Sequence, residues 1–157
     1  MTAAMISLAN ITLGSAQSTV TFSSIPSTYR DLRVVLTPLG GDTNARFRIN
    51  SDTGSNYSEV YMSGDGSSAG SGSSTMTYAG AGRTTSTPSA NTIDIMDYSA
   101  TDKHKTILAR LNPSQLFVSA SASRWANTAA VISLTFINQD SSNFSAGSTF
   151  ALYGIVS

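Results

Sequence analysis

Apolar and hydroxyl-bearing residues alternate along most of this chain with a period of two, the repeat of a half-buried β-strand. From Ser18 to Ile25, Val20 and Phe22 alternate with Thr19, Thr21 and Ser23, and from Asp31 to Thr37, Leu32, Val34 and Leu36 share one face. Arg46-Phe47-Arg48-Ile49 would be scattered around a helix but is sorted cleanly by a strand, and Tyr57 to Met62 is dense in β-favouring types. Further strands are predicted at Thr92 to Met96, Thr106 to Leu111, Gln115 to Ala122, Ala130 to Ile137 and Thr149 to Val156. No long 3.6-residue pattern competes.

Turn chemistry separates these runs at Gly40-Gly41, Asp52-Thr53-Gly54, Asn112-Pro113 and Gln139 to Asn143, and a Pro-containing corner falls at Ser24 to Arg30. About ten short strands at this spacing predict an all-β fold, an antiparallel β-sandwich or jelly roll with no significant helix. The 157 residues make one domain's worth of chain, with neither internal repeat nor second domain. Ser63 to Ala90 is dominated by Gly, Ser and Thr, with Met76 and Tyr78 as its anchors, and reads as a long loop or flexible hairpin.

Composition narrows the function. Ser and Thr form about 30 % of the chain, while charged residues are only 11 % against an ordinary ~25 %. Such a surface is cheap to desolvate against another protein, which suits a component of an assembly. Nine basic residues balance nine acidic ones, and the longest cluster is Lys103-His104-Lys105. That is no phosphate-binding stripe, so nucleic acid is not an expected partner. No run approaches the length of a membrane span, and the N-terminus lacks the pattern of a signal peptide. With no cysteine there is no disulfide framework and no thiolate metal site.

Motifs that could carry chemistry are weak. Asp52-Thr53-Gly54-Ser55 spells the aspartic-protease tetrapeptide, but that chemistry needs two carboxylates sharing a proton, and here a single copy sits in a polar turn between Asn50 and Asn56. Gly66-Ser67-Ser68-Ala69-Gly70 matches a nucleophile elbow without the helix that should follow. His104, the only histidine, lies between two lysines and reads as a solvated strand end. Asp65, Asp94, Asp97 and Asp102 lack calcium-loop spacing. Three N-glycosylation sequons are what chance gives with nine asparagines in so Ser/Thr-rich a chain. The expectation is a non-enzyme, with no catalytic, cofactor or metal residues and no small-molecule substrate. Trp125 stands in a polar context and is either a sandwich plug or an exposed anchor for a partner or a sugar. Tyr57 and Tyr61 share a strand face and read as packing.

Three segments go further. ITLGSAQSTVTFSSIPSTYRDLRVVLTPLG, the turn Asn50-Ser51-Asp52-Thr53-Gly54-Ser55-Asn56-Tyr57-Ser58 and the ending Ser148-Thr149-Phe150-Ala151-Leu152-Tyr153-Gly154-Ile155 resemble small all-β structural proteins of tailed bacteriophages. The similarity covers the first forty residues, Arg46 to Ser68 and the final thirty. Members occur as whole virion proteins and as domains of tail fibres or appendages. The start at Met1 and the stop just after the terminal motif lead us to expect a capsid decoration or cement protein, made in the host bacterial cytoplasm and placed on the outer surface of the phage head. The resemblance implies a homotrimer that clamps neighbouring major capsid protein subunits. The alternative is an appendage domain that binds a host receptor or glycan through Ser63 to Ala90, Tyr78 and Trp125. Candidate partner contacts are Ile6, Leu8 and Ile11, together with Tyr78, Arg83 and Trp125. The segment Met1 to Leu13 is either a strand added to a neighbour's sheet edge or the first strand of its own sandwich.

Overall fold

The computed structural model describes residues 4–112 and 117–156. Within them the chain is all-β, an antiparallel sandwich without helix. The strands are β1 (Met5–Thr12), β2 (Thr19–Phe22), β3 (Asp31–Thr37), β4 (Thr43–Ile49), β5 (Tyr57–Gly64), β6 (Ala69–Met76), β7 (Ala79–Thr84), β8 (Asn91–Met96), β9 (Lys105–Leu111), β10 (Val118–Trp125), β11 (Leu134–Asn138) and β12 (Thr149–Ile155). Eight form one sheet in the order β1-β12-β3-β8-β9-β10-β5-β6, and four form the other in the order β2-β11-β4-β7.

The differences from expectation lie in the least patterned segments. Of the loop or hairpin expected at Ser63 to Ala90, the structure holds the hairpin, β5–β6, together with the edge strand β7 in place of a long loop. Backbone pairing orders it where side-chain periodicity is too weak to be read. The run from Ala130 becomes strand only at Leu134, because Asn50 binds the preceding backbone, its Oδ1 accepting from Ile132 N and Ser133 N and its Nδ2 donating to Ala130 O. Met1, the Pro113 of the predicted turn and the predicted strand start at Gln115 lie outside the described residues.

Alternation fills the core as the pattern demands. Leu32, Val34 and Leu36 of β3 and Ile93 and Ile95 of β8 face Phe47, Ile49, Leu134 and Phe136 of the smaller sheet, all fully buried. Phe136 joins the layers: its ring centroid lies 5.5 Å from Phe47, 6.1 Å from Phe22 and 5.3 Å from Phe150 of the large sheet.

The chain crosses between the sheets at the turn after β4. The Asp52 carboxylate accepts from Gly54 N at 2.8 Å, Asn56 Nδ2 at 2.9 Å and the buried Trp125 indole Nε1 at 2.7 Å. Burial pushes the Asp52 carboxyl up, but these three donors outweigh it and leave it below its ordinary value. Tyr57 completes the corner by accepting from Ile49 N at 2.9 Å, and its own burial raises its phenol to about 12. The protease-like tetrapeptide is therefore a corner brace.

Phe136→Ala should lower stability by about 3–5 kcal/mol, seen as a lower urea midpoint with an unchanged slope. Asp52→Asn leaves too few acceptor sites for three donors and should cost about 1–3 kcal/mol at neutral pH. The Asp52 carboxyl is depressed below its ordinary 3.8 in the fold, so its contribution is present above that pH and lost as pH falls through the folded value. Unfolding followed by Trp fluorescence from neutral pH downward should show a shallower acid limb in Asp52→Asn; an identical limb would refute the brace.

Candidate functional site

Four strands cannot cover eight. β7, the edge of the small sheet, packs over β9 with lighter contact to β10 and β5, and β6 lies beyond it. Here the two sheets leave a cleft of about 400 Å³ between them. Its small-sheet wall holds Ala45, Arg46, Tyr78, Gly80, Gly82 and Arg83, and its large-sheet wall holds Glu59, Tyr61, Ser63, Ser119, Ser121, Met76 and Leu111.

The backbone of each wall shapes it. On β7 the register with β4 slips between Ala45 and Arg46, leaving Ala81 as an extra residue. Gly82 follows the slip at φ +105, where a Cβ would stand 2.8 Å from the Asn91 side chain. On the opposite wall Gly72 lets the Tyr61 ring lie flat across β6, since a Cβ there would meet the ring at 2.9 Å.

Polarity in this region is inverted. On β10, Ser119, Ser121 and Ser123 point inward while Val118, Ala120 and Ala122 point out. Inside, Ser123 Oγ donates to Glu59 Oε2 at 3.1 Å. Ser121 is only 8 % exposed and its hydroxyl has no hydrogen-bond partner among the described residues. Outside, Val60 and Met62 of β5, Leu108 of β9 and Val118 of β10 are 61 %, 67 %, 44 % and 60 % exposed. Cross-strand register places Val60, Ala122 and Leu108 in one row, which continues into the charged pair Asp94 and Arg33 on β8 and β3. Arg33 Nε and Nη2 reach the two Asp94 oxygens at 2.6 and 3.1 Å, and this bidentate bond raises the Arg33 pKa.

The cleft's cations are engaged. The Arg46 guanidinium lies 3.6 Å from the Tyr78 ring centroid and donates to Gln139 Oε1. Burial lowers its pKa while the charge of Glu59 opposes that shift. Arg83 forms a bidentate pair with Asp42, Nη2 to Oδ2 at 2.7 Å, which lowers the Asp42 pKa.

The structure thus brings Tyr78 and Arg83 to one cleft and separates the other candidates from it. Trp125 is buried, so its reading as an exposed anchor is corrected: Asp52 draws its indole inward at the end of β10. β1 pairs with β12 of its own sheet, so in this fold it is the first strand of its own sandwich. There Ile6 and Ile11 stand opposite Gly154 and Phe150, and Leu8 and Ile11 pack on the core. Asp65 accepts the N–H groups of Ser67 and Ser68 at 2.8 and 2.7 Å and both of their hydroxyls. Those bonds, led by the Ser68 N–H, hold its carboxyl well below the usual range, and the elbow-like motif is the β5–β6 turn. His104 is exposed. Among the described residues no three His, Cys, Asp or Glu side chains converge as a metal site, and no helix is long and apolar enough to cross a membrane.

Sequence reasoning passed over Glu59, Ser121 and Lys105. Lys105, within the basic cluster, is fully buried and donates to the carbonyls of Ala100, Lys103 and Thr128 at 2.6, 2.9 and 3.2 Å. Burial lowers its pKa. Its place at an inward position of the Lys105, Ile107, Ala109 alternation was the available signal.

No family model matches the chain, and no curated protein matches it. Among solved structures it is similar to the galectin LEC-6 of Caenorhabditis elegans, at 10 % identity and a TM-score of 0.41, over 94 % of this chain and 96 % of that one.

Proposed function

We propose that this chain is a non-enzymatic structural protein of a tailed-phage virion, a decoration or cement protein that docks the outer face of its large sheet onto the major capsid protein. The observation that carries the docking is the apolar row on β5, β10 and β9. Val60, Met62, Leu108 and Val118 are all exposed on the outward face of these strands, with Ala120 and Ala122 between them and Arg110 beside Ala120, and a cluster of exposed apolar side chains of this kind marks a protein contact. The phage setting rests on the three sequence segments described above.

A clip that binds only the assembled, expanded shell stabilises that state by mass action. In a homotrimer, docking of one copy raises the effective concentration of the other two at their sites. The low charge of the chain keeps the desolvation cost of such a contact small.

The test mixes purified protein with expanded capsids that lack it and, separately, with phage tails and host cells. Saturable binding to capsids in hundreds of copies, with a gain in their heat resistance, is expected. Val60→Glu and Leu108→Glu should each weaken capsid binding about tenfold or more while leaving the thermal midpoint of the free protein nearly unchanged. Binding to cells or tails with none to capsids would move the domain to host recognition and end the cement reading.

A further inference from the structure

We propose that the cleft between β7 and the β5–β10 wall is a binding site for a neutral, polyhydroxylated ligand, a pyranose unit of a saccharide. This goes beyond the docking role, which uses the opposite face of the same strands.

The first argument is the unsatisfied hydroxyl. Ser121 Oγ is buried, lines the cleft and lacks a partner among the described residues. Leaving such a group unpaired costs free energy that a ligand hydroxyl would restore. Ser89 Oγ and Asn138 Oδ1 are also unpaired, but neither lines this cleft. Ser121 therefore points to an occupant of the cleft rather than to a general looseness of packing.

Charge then selects the ligand class. An anion would meet Glu59, and a cation would meet Arg46 and Arg83. Arg83 is paired with the Asp42 carboxylate, while Arg46, donating to the neutral Gln139 and stacked on Tyr78, has the charge of Glu59 across the cleft acting on it, so the cleft carries little surplus charge. What the cleft offers is acceptor capacity at Glu59, whose Oε2 takes a hydrogen bond from Ser123, together with the hydroxyls of Ser119 and Ser121. A polyol supplies both donors and acceptors to such a set without burying a net charge.

Shape agrees with a sugar. The Tyr61 ring, 40 % exposed and held flat over Gly72, forms an aromatic platform on the cleft wall. The C–H face of a pyranose can lie on such a ring while its hydroxyls turn toward the serines. A volume of about 400 Å³ lies in the range of small-molecule sites.

The test titrates isotopically labelled full-length protein with methyl glucoside, methyl galactoside, N-acetylglucosamine and maltose, reading backbone amide shifts. Succinate and hexanol serve as the anionic and purely apolar probes. At least one saccharide should give saturable shifts at Glu59, Tyr61, Ser119 and Ser121 with a Kd of about 1 mM or tighter. Ser121→Ala should weaken that saccharide about five- to tenfold, yet raise the Tm of the ligand-free protein by about 2 °C by removing the unpaired group. Tyr61→Ala should weaken it at least as much. The proposal is overturned if no saccharide saturates, if succinate or hexanol binds the same amides as tightly, or if Ser121→Ala leaves saccharide affinity unchanged.

Discussion

The unequal size of the two sheets is the constraint from which the rest of this fold follows. A sandwich closes only where both layers present apolar faces, and a four-stranded layer can do that for only part of an eight-stranded one. The inner face of the uncovered strands must then accept water or a ligand. That is why β5, β6 and β10 carry Glu59, Ser63, Ser119 and Ser121 and glycines where the covered strands carry Leu, Ile and Phe.

Such an overhang needs an anchor, and the Asp52 corner supplies it. Trp125 ends β10 and Tyr57 begins β5, so the indole and phenol held at the corner fix the roots of both overhanging strands. Behind them the chain of rings from Phe47 through Phe136 and Phe150 to Phe144 clamps the covered part of the layers together. The three polar donors on Asp52 and this run of aromatic contacts are different kinds of force. One sets direction at a single corner, and the other supplies bulk cohesion.

Inversion of polarity gives the same strands two faces of different chemistry. Their outward face carries Val60, Met62, Leu108 and Val118 with Arg110 and Arg124 among them, and their inward face is concave and lined by Glu59, Ser119 and Ser121. On the covered side of the large sheet the usual order returns, with Arg33 and Asp94 outside and Val34 and Ile93 inside. The boundary between the two regimes falls on β9, the strand β7 packs over most closely: its inward Ile107 and Ala109 are buried as on the covered strands, while its outward Leu108 is already exposed.

Alternation alone was enough to establish an all-β sandwich. Alternation in β2, β3, β4, β8, β9 and β12 is strong enough to place each strand to within a few residues, because burial of one face imposes a period of two whatever the neighbours are. It could not assign β6 and β7, whose Gly, Ser and Thr carry no hydrophobic signal and are ordered by pairing with β5 and β4. Nor could it say which side of Ser119-Ala120-Ser121-Ala122-Ser123 faces inward, since alternation fixes that there are two faces but not which one is covered. Only the pairing of β10 between β9 and β5, with β7 above it at the edge of the small sheet, decided that Ser119 and Ser121 line a cleft. The same holds for Trp125, Asp52 and Lys105: their residue types were visible, but their partners come from distant segments and exist only once the two sheets have met.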